Sequence, residues 1–171
     1  MKKVIYTLAV SLVLLAGNAF AQDKPQHEIY SMMVYNFIKY IQWPNNSGSG
    51  EFVIAVVGND DMFATMNKWY NGSKLGNQTC VVKKFDSADD LSKCQVVYID
   101  KSKSNEFNEI NAKVKSNSTL VVTDKPGLGA KGSGINFKVV DSKLKFELNQ
   151  KALEASNLKV AGSLAAMAIL I

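Results

Sequence analysis

Three short apolar runs limit what this chain can become: Phe52-Val53-Ile54-Ala55-Val56-Val57, Gln95 to Ile99 (Val96-Val97-Tyr98-Ile99 at its core) and Thr119 to Val122. None alternates between apolar and polar residues. Each therefore predicts a strand buried on both faces, the environment of a parallel sheet covered on both sides. Thr79 to Phe85 does alternate and predicts a further strand. Between them, apolar residues recur at helical spacing. Glu28 to Trp43 carries Ile29, Met33, Phe37, Tyr40 and Ile41 on one stripe, and Pro44 ends it because the residue before proline avoids helical backbone. Asn59 or Asp60 caps a helix over 61–70, and 105–114 reads as another with Phe107, Ile110 and Val114 inside. Ser87 to Ser92 reads as a polar helical turn. The order implies a Rossmann-like α/β domain, a layered and mostly parallel sheet with flanking helices.

The stretch after Thr119 adds something different. Ile135 to Val140 and Lys143 to Leu148 both alternate, and Asp141-Ser142 separates them. That is the pattern of an antiparallel hairpin at the C-terminal side of the sheet. Before it lies a loop with Gly127, Gly129, Gly132 and Gly134. Gly127-x-Gly129-x-x-Gly132 spells a dinucleotide-binding fingerprint, but that fingerprint needs a helix after the loop to hold the pyrophosphate. Here a strand follows, so no dinucleotide site is expected. Asn149 caps a short helix over 150–156, and Ser163 caps a final apolar helix over 164–171.

The first 21 residues read as a secretory signal. Lys2-Lys3 precede an apolar segment, Val4 to Ala16, and Ala19-Phe20-Ala21 forms a cleavage site. Cleavage after Ala21 leaves residues 22–171 as one domain, of a length that buries a core unaided. The apolar segment falls short of the about 20 residues a span requires, as does the final apolar stretch, so no membrane insertion is expected. No cysteine stands at the cleavage site to take a lipid. The bacterial character of the signal predicts a periplasmic location.

All 20 basic residues are lysine, and losing Lys2 and Lys3 lowers the net charge from +5 to +3. With no arginine and no basic run, nucleic-acid binding is not expected. Cys80 and Cys94 are an even pair in an oxidising compartment, which predicts a disulfide closing a loop of about 15 residues, worth about 3 kcal/mol in the chain-entropy model. His27 is the single histidine and precedes the domain, so neither a triad nor a metal site can be assembled from it. Asp60-Asp61 and Asp89-Asp90 suit helix starts better than acid–base pairs. The residues predict no catalytic set, no metal and no cofactor. They predict a protein that is not an enzyme.

A resemblance carries the reading further. Tyr35-Asn36-Phe37-Ile38-Lys39-Tyr40-Ile41-Gln42-Trp43-Pro44 is similar to the Phe-x-Lys-Phe/Tyr-x-x-Trp-Pro signature of the YfiR-like family of bacterial periplasmic proteins. The similarity continues through Ile54 to Gly58, Cys94 to Ile99 and Gly132 to Phe137. It closes with Lys145 to Asn149, Ala152, Ala155 and Leu158. It spans the chain from about Glu28 onward. It implies a periplasmic α/β domain, often a homodimer, that binds the periplasmic region of an inner-membrane diguanylate cyclase and holds it inactive, lowering cyclic-di-GMP. It also places Cys94 at a family cysteine, in keeping with a bond to Cys80. The chain has Gly-Ser-Gly where Gly-Gly is common, and it lacks a second disulfide around the glycine loop. The resemblance transfers no catalytic residue.

Two functions follow as expectations. As a restraining partner of a membrane signalling protein, the chain would use Trp43 and Pro44, the loop from Asp124 to Gly134 and the last helix. As a periplasmic small-molecule binder, it would hold ligand at the carboxyl ends of the parallel strands, lined by Gly58 and by Gly127, Gly129, Gly132 and Gly134.

Overall fold

The computed structural model describes residues 24–44, 50–89, 91 and 93–171. The expected signal segment, with its expected cleavage site, and the loop 45–49 lie outside the described residues. So does part of the polar turn expected over 87–92, of which Ala88 and Asp89 form a turn.

The three apolar runs are strands, as their lack of alternation predicts. They are β2 (Gly50–Val57), β5 (Val96–Ile99) and β6 (Leu120–Thr123). Adding β3 (Lys74–Leu75), β4 (Gln78–Phe85), β7 (Ile135–Val140), β8 (Lys143–Leu148) and β10 (Ile169–Leu170) gives an eight-stranded sheet in the order β10-β8-β7-β6-β5-β2-β4-β3. Strands β4, β2, β5, β6 and β7 run parallel. The hairpin β7–β8 is antiparallel, with Ile135 opposite Leu148 and Phe137 opposite Phe146. The parallel order reverses direction between β2 and β5, so these two strands flank the topological switch point.

One face of the sheet packs under α1 (Gln26–Tyr40) and α2 (Asp60–Tyr70). In α2 the cap is Asn59, whose side chain accepts from the Met62 amide at 2.8 Å. The buried side of α1 carries Tyr30, Val34, Phe37 and Ile38; of the expected stripe Phe37 and Ile41 are buried, whereas Ile29 and Met33 are half-buried and Tyr40 is exposed. Tyr30 decides this rotation: its ring stacks on Phe137, centroids 4.0 Å apart and planes within 5°. Such a contact adds about 0.5–1.5 kcal/mol beyond area burial. The hydroxyl stays satisfied because the Gln26 amide donates to it at 2.7 Å.

The opposite face is covered by α3 (Phe107–Val114), by the linker around Ala88 and by Leu128 from the glycine loop. Helix α3 is shorter than expected because a 3-10 segment, Lys101–Glu106, precedes it.

Two expected helix ends are strands instead. Helix α1 stops at Tyr40, and Ile41–Gln42 (β1) pairs antiparallel with Lys159–Val160 (β9). At the other terminus α5 covers Gly162–Met167 only, after the short α4 (Gln150–Ala155). Strand β10 then lies parallel to β8, with the Ile171 amide donating to the Leu148 carbonyl at 3.1 Å. In both places a waiting backbone partner outweighs local helical preference.

The expected disulfide is not formed: Cys80 and Cys94 are both free and buried. Cys80 belongs to the apolar layer beneath α1 and α2, Cys94 to the layer beneath α3. A disulfide needs the two Cβ atoms about 4 Å apart on the same side, and here the sheet stands between the two layers.

Candidate functional site

The sequence-predicted site residues fall into three places. Trp43 and Pro44 lie at the amino ends of the parallel strands. The Trp43 indole donates to the Gln95 carbonyl at 3.3 Å, just before β5, and meets Phe52 edge-on at 5.1 Å. With 8% of its surface exposed, Trp43 is a wedge in the core more than a contact residue. Its rim borders an open depression of about 590 Å³ with Gln42, Pro44, Glu154 and Leu158.

Gly58 and Asp124 are at the other end, where β2 and β6 finish. Gly58 has φ of +85°, and its missing Cβ leaves space that the Lys103 side chain fills. Lys103 is held there by Glu106 at 2.9 Å, and the Ser102 hydroxyl donates to the Gly58 carbonyl at 3.1 Å. The 3-10 segment thus occupies the ground beside Gly58 where a switch-point ligand would sit.

Beside it lies a polar cluster of which the sequence singled out Asp124 alone. Asp100 accepts from the Asn59 amide and from the Ser102 backbone, each at 2.8 Å. Burial pushes its carboxyl up, but these donors together hold it below the ordinary aspartate value. Asp124 accepts from the Tyr98 hydroxyl at 3.0 Å. Its carboxyl is raised, first by burial and then by the charge of Asp100. Tyr98 is raised in turn, by burial and by Asp124, and Tyr30 is pushed up to about 12 by burial and Asp124. The one legible signal for this cluster was position: Asp100 and Asp124 each follow the last residue of a buried strand.

The glycine loop is the third place, and its glycines do different jobs. Gly127, with φ of +89°, turns in open space. A Cβ on Gly129 would lie 2.5 Å from Glu147 Oε2 and 2.9 Å from Ile171 Cδ1. A Cβ on Gly134 would lie 2.8 Å from Leu153 Cδ2. Gly132, at φ +110°, passes under the Asn111 side-chain amide. Beneath the loop runs a chain of hydrogen bonds, buried except at its exposed Lys138 end: Thr123 to Asn136 at 2.7 Å, Asn136 to Glu147 at 2.9 Å, and Lys138 to Glu147 at 2.8 Å. Burial alone would raise Glu147; the Lys138 ammonium and the Asn136 amide outweigh it and lower its pKa. Asn149 ties the loop down by donating to the Gly129 carbonyl at 2.9 Å.

The structure therefore joins the glycine loop to the C-terminal edge through Gly129 and Ile171. It separates both from Trp43 and Pro44, and it puts Gly58 apart from the loop glycines. Among the described residues no group of three or more His, Cys, Asp or Glu side chains is arranged to hold a metal.

Comparison with known proteins gives the frame for these features. The fold is similar to that of a solved "conserved domain protein" from Vibrio cholerae O1 biovar El Tor, with a TM-score of 0.57 at 11% identity. The alignment covers 86% of this chain and 60% of that one, so the chain spans less than two thirds of that protein's length. At such low identity the likeness shows the fold alone. No curated protein matches the sequence significantly. The YfiR/HmsC-like family profile matches residues 27–169 of the 171. That match takes in the Trp43–Pro44 wedge, the switch-point cluster and the glycine loop together, and the chain belongs to the YfiR/HmsC-like family.

Proposed function

We propose that this protein is a periplasmic regulator that binds the periplasmic region of an inner-membrane signalling protein, a diguanylate cyclase, and restrains it. The single observation that carries the reading is the family match over residues 27–169. Among the described residues no helix is long and apolar enough to cross a membrane, so the restraint acts through docking of the folded domain.

The docking surface we favour is the C-terminal edge of the sheet. Met167, Leu170 and Ile171 are 57%, 51% and 45% exposed, and Ile171 adjoins the glycine loop at Gly129. Apolar side chains grouped at a sheet edge are a common mark of a partner site. Trp43, buried at the amino ends of the parallel strands, is not part of that surface.

Affinity capture tests the proposal. Residues 22–171 are immobilised, and detergent-solubilised membranes from the native host are passed over them. Recovery of an inner-membrane protein with a periplasmic sensor region and a cyclase domain is the expected result. Unchanged cyclic-di-GMP in cells lacking this protein would overturn the proposal.

A further inference from the structure

A second site lies away from that edge, at the amino end of β6. Asn111 from α3, Lys115 just past its end, Lys131 and Gly132 from the glycine loop, and Ser156 beyond α4 surround a cavity of about 180 Å³. We propose that this cavity binds a compact oxyanion, a phosphate or a small dicarboxylate. This inference is independent of the cyclase-restraint reading.

Charge is the first argument. The lining contains two lysines and no carboxylate. Among the described residues neither Lys115 nor Lys131 pairs with an acidic side chain, as is true of most lysines here; what sets these two apart is that both line one cavity with no counter-charge in it. Lys113 is two residues from Lys115 and donates to the Ala88 carbonyl and to Asp89. The only acidic residue of α4, Glu154, lines different depressions.

The two helix ends here weigh against an anion. Lys115 follows the last residue of α3 and Ser156 that of α4. Each end carries at most about half a negative charge. Two ammonium groups exceed that total by roughly one positive charge. The dipole of α3 also accounts for a lysine at its own end, but not for Lys131, which arrives from a different segment.

Shape is the second argument. Gly132 at φ +110° has no side chain, and a Cβ there would come within 3.3 Å of the Asn111 amide nitrogen. The glycine leaves that donor uncovered. The Asn111 amide and the Ser156 hydroxyl make no hydrogen bond among the described residues, so both are available. The volume is below the roughly 300–1,000 Å³ that accommodates drug-sized ligands. It equals the liquid-volume share of about six waters, which suits a group the size of a phosphate.

Amide-resolved NMR titration of the 22–171 protein tests this, using inorganic phosphate and succinate as probes at constant ionic strength with chloride as background. Saturable shifts at the Gly132 and Gly134 amides and at the Asn111 side chain are expected. Lys115→Gln with Lys131→Gln should weaken the binding by about tenfold or more, as loss of charge-assisted contacts does. Lys131→Gln alone should weaken it less, and Lys143→Gln on the distant hairpin should leave it unchanged. The amide spectra report whether each variant is folded. Saturation by phosphate alone assigns a phosphoryl ligand; saturation by both probes assigns a general dianion site. Either supports the inference. Shifts that grow without saturating, or that survive in the folded double variant, would overturn it.

Discussion

The Tyr98 hydroxyl donates to Asp124 Oδ2 at 3.0 Å, while the other carboxylate oxygen, Oδ1, is buried without a hydrogen-bond partner. The Asp124 carboxyl is therefore raised, by burial and by Asp100. A carboxyl raised in the folded state costs stability wherever it is ionised, and that cost fades as pH falls through the raised value towards the ordinary one. Asp124→Asn should thus stabilise the protein at neutral pH, with the gain shrinking in acid. Urea unfolding of both proteins across pH 3–8 checks this, and a gain independent of pH would contradict it.

Glu147 should show the opposite sign. Its carboxyl is lowered because the Lys138 ammonium and Asn136 amide outweigh burial. The stability it supplies is present above the ordinary glutamate value and is lost as pH falls through the lowered one. Glu147→Gln should destabilise at neutral pH and converge with the parent in acid. The same urea series measures it, and parallel curves for the two proteins would refute the assignment.

Both cysteines should behave as inert free thiols. Burial pushes Cys80 up to about 11 and Cys94 up to about 12, so neither is a thiolate at neutral pH. Alkylation in the native state should be slow and should become rapid for both only in denaturant. Reductant should leave the melting temperature unchanged. Intact mass of the unreduced protein showing a loss of two hydrogens would sink this.

The hairpin turn can be improved. Asp141 and Ser142 both hold positive φ, 49° and 59°. Two positive φ values between β7 and β8 make a type I′ turn, which favours Asn-Gly. Replacing Asp141-Ser142 with Asn-Gly should add about 1 kcal/mol, by relieving left-handed strain. That corresponds to roughly 2–4 °C in Tm for a domain of this size. Thermal unfolding followed by circular dichroism reads it, and no gain would mean the turn has a different geometry.

Gly134 should tolerate no side chain. A Cβ there would meet Leu153 at 2.8 Å and Leu120 at 3.4 Å, and both leucines are buried. Gly134→Ala should cost about 1–3 kcal/mol through overpacking. Leu153→Ala in the same chain should recover part of it if the clash is the cause. Denaturant midpoints of the single and double variants decide this.

The sequence determined the elements whose signal is local. Phe52 to Val57, Val96 to Ile99 and the run ending at Val122 carry burial on both faces in their own composition, and they became the central strands. Asn59 and Asn149 announced helix starts and cap them. The alternation over 135–148 announced the hairpin and which side chains share a face, while the register that sets Phe137 opposite Phe146 was settled only in the folded chain. The strand after the glycine loop was enough to set aside a dinucleotide site.

Tertiary structure decided whatever depended on a distant partner. Ile169 and Leu170 became a strand because β8 offered unpaired backbone groups, and Ile41 and Gln42 left the first helix for β9. Cysteine spacing along the chain could not reveal that a sheet would stand between Cys80 and Cys94. The Asp100–Asp124–Tyr98 cluster and the cavity at Lys115 and Lys131 join residues far apart in sequence. Spacing fixes which way a side chain faces on its own element, but only the packed chain brings two such faces to one place.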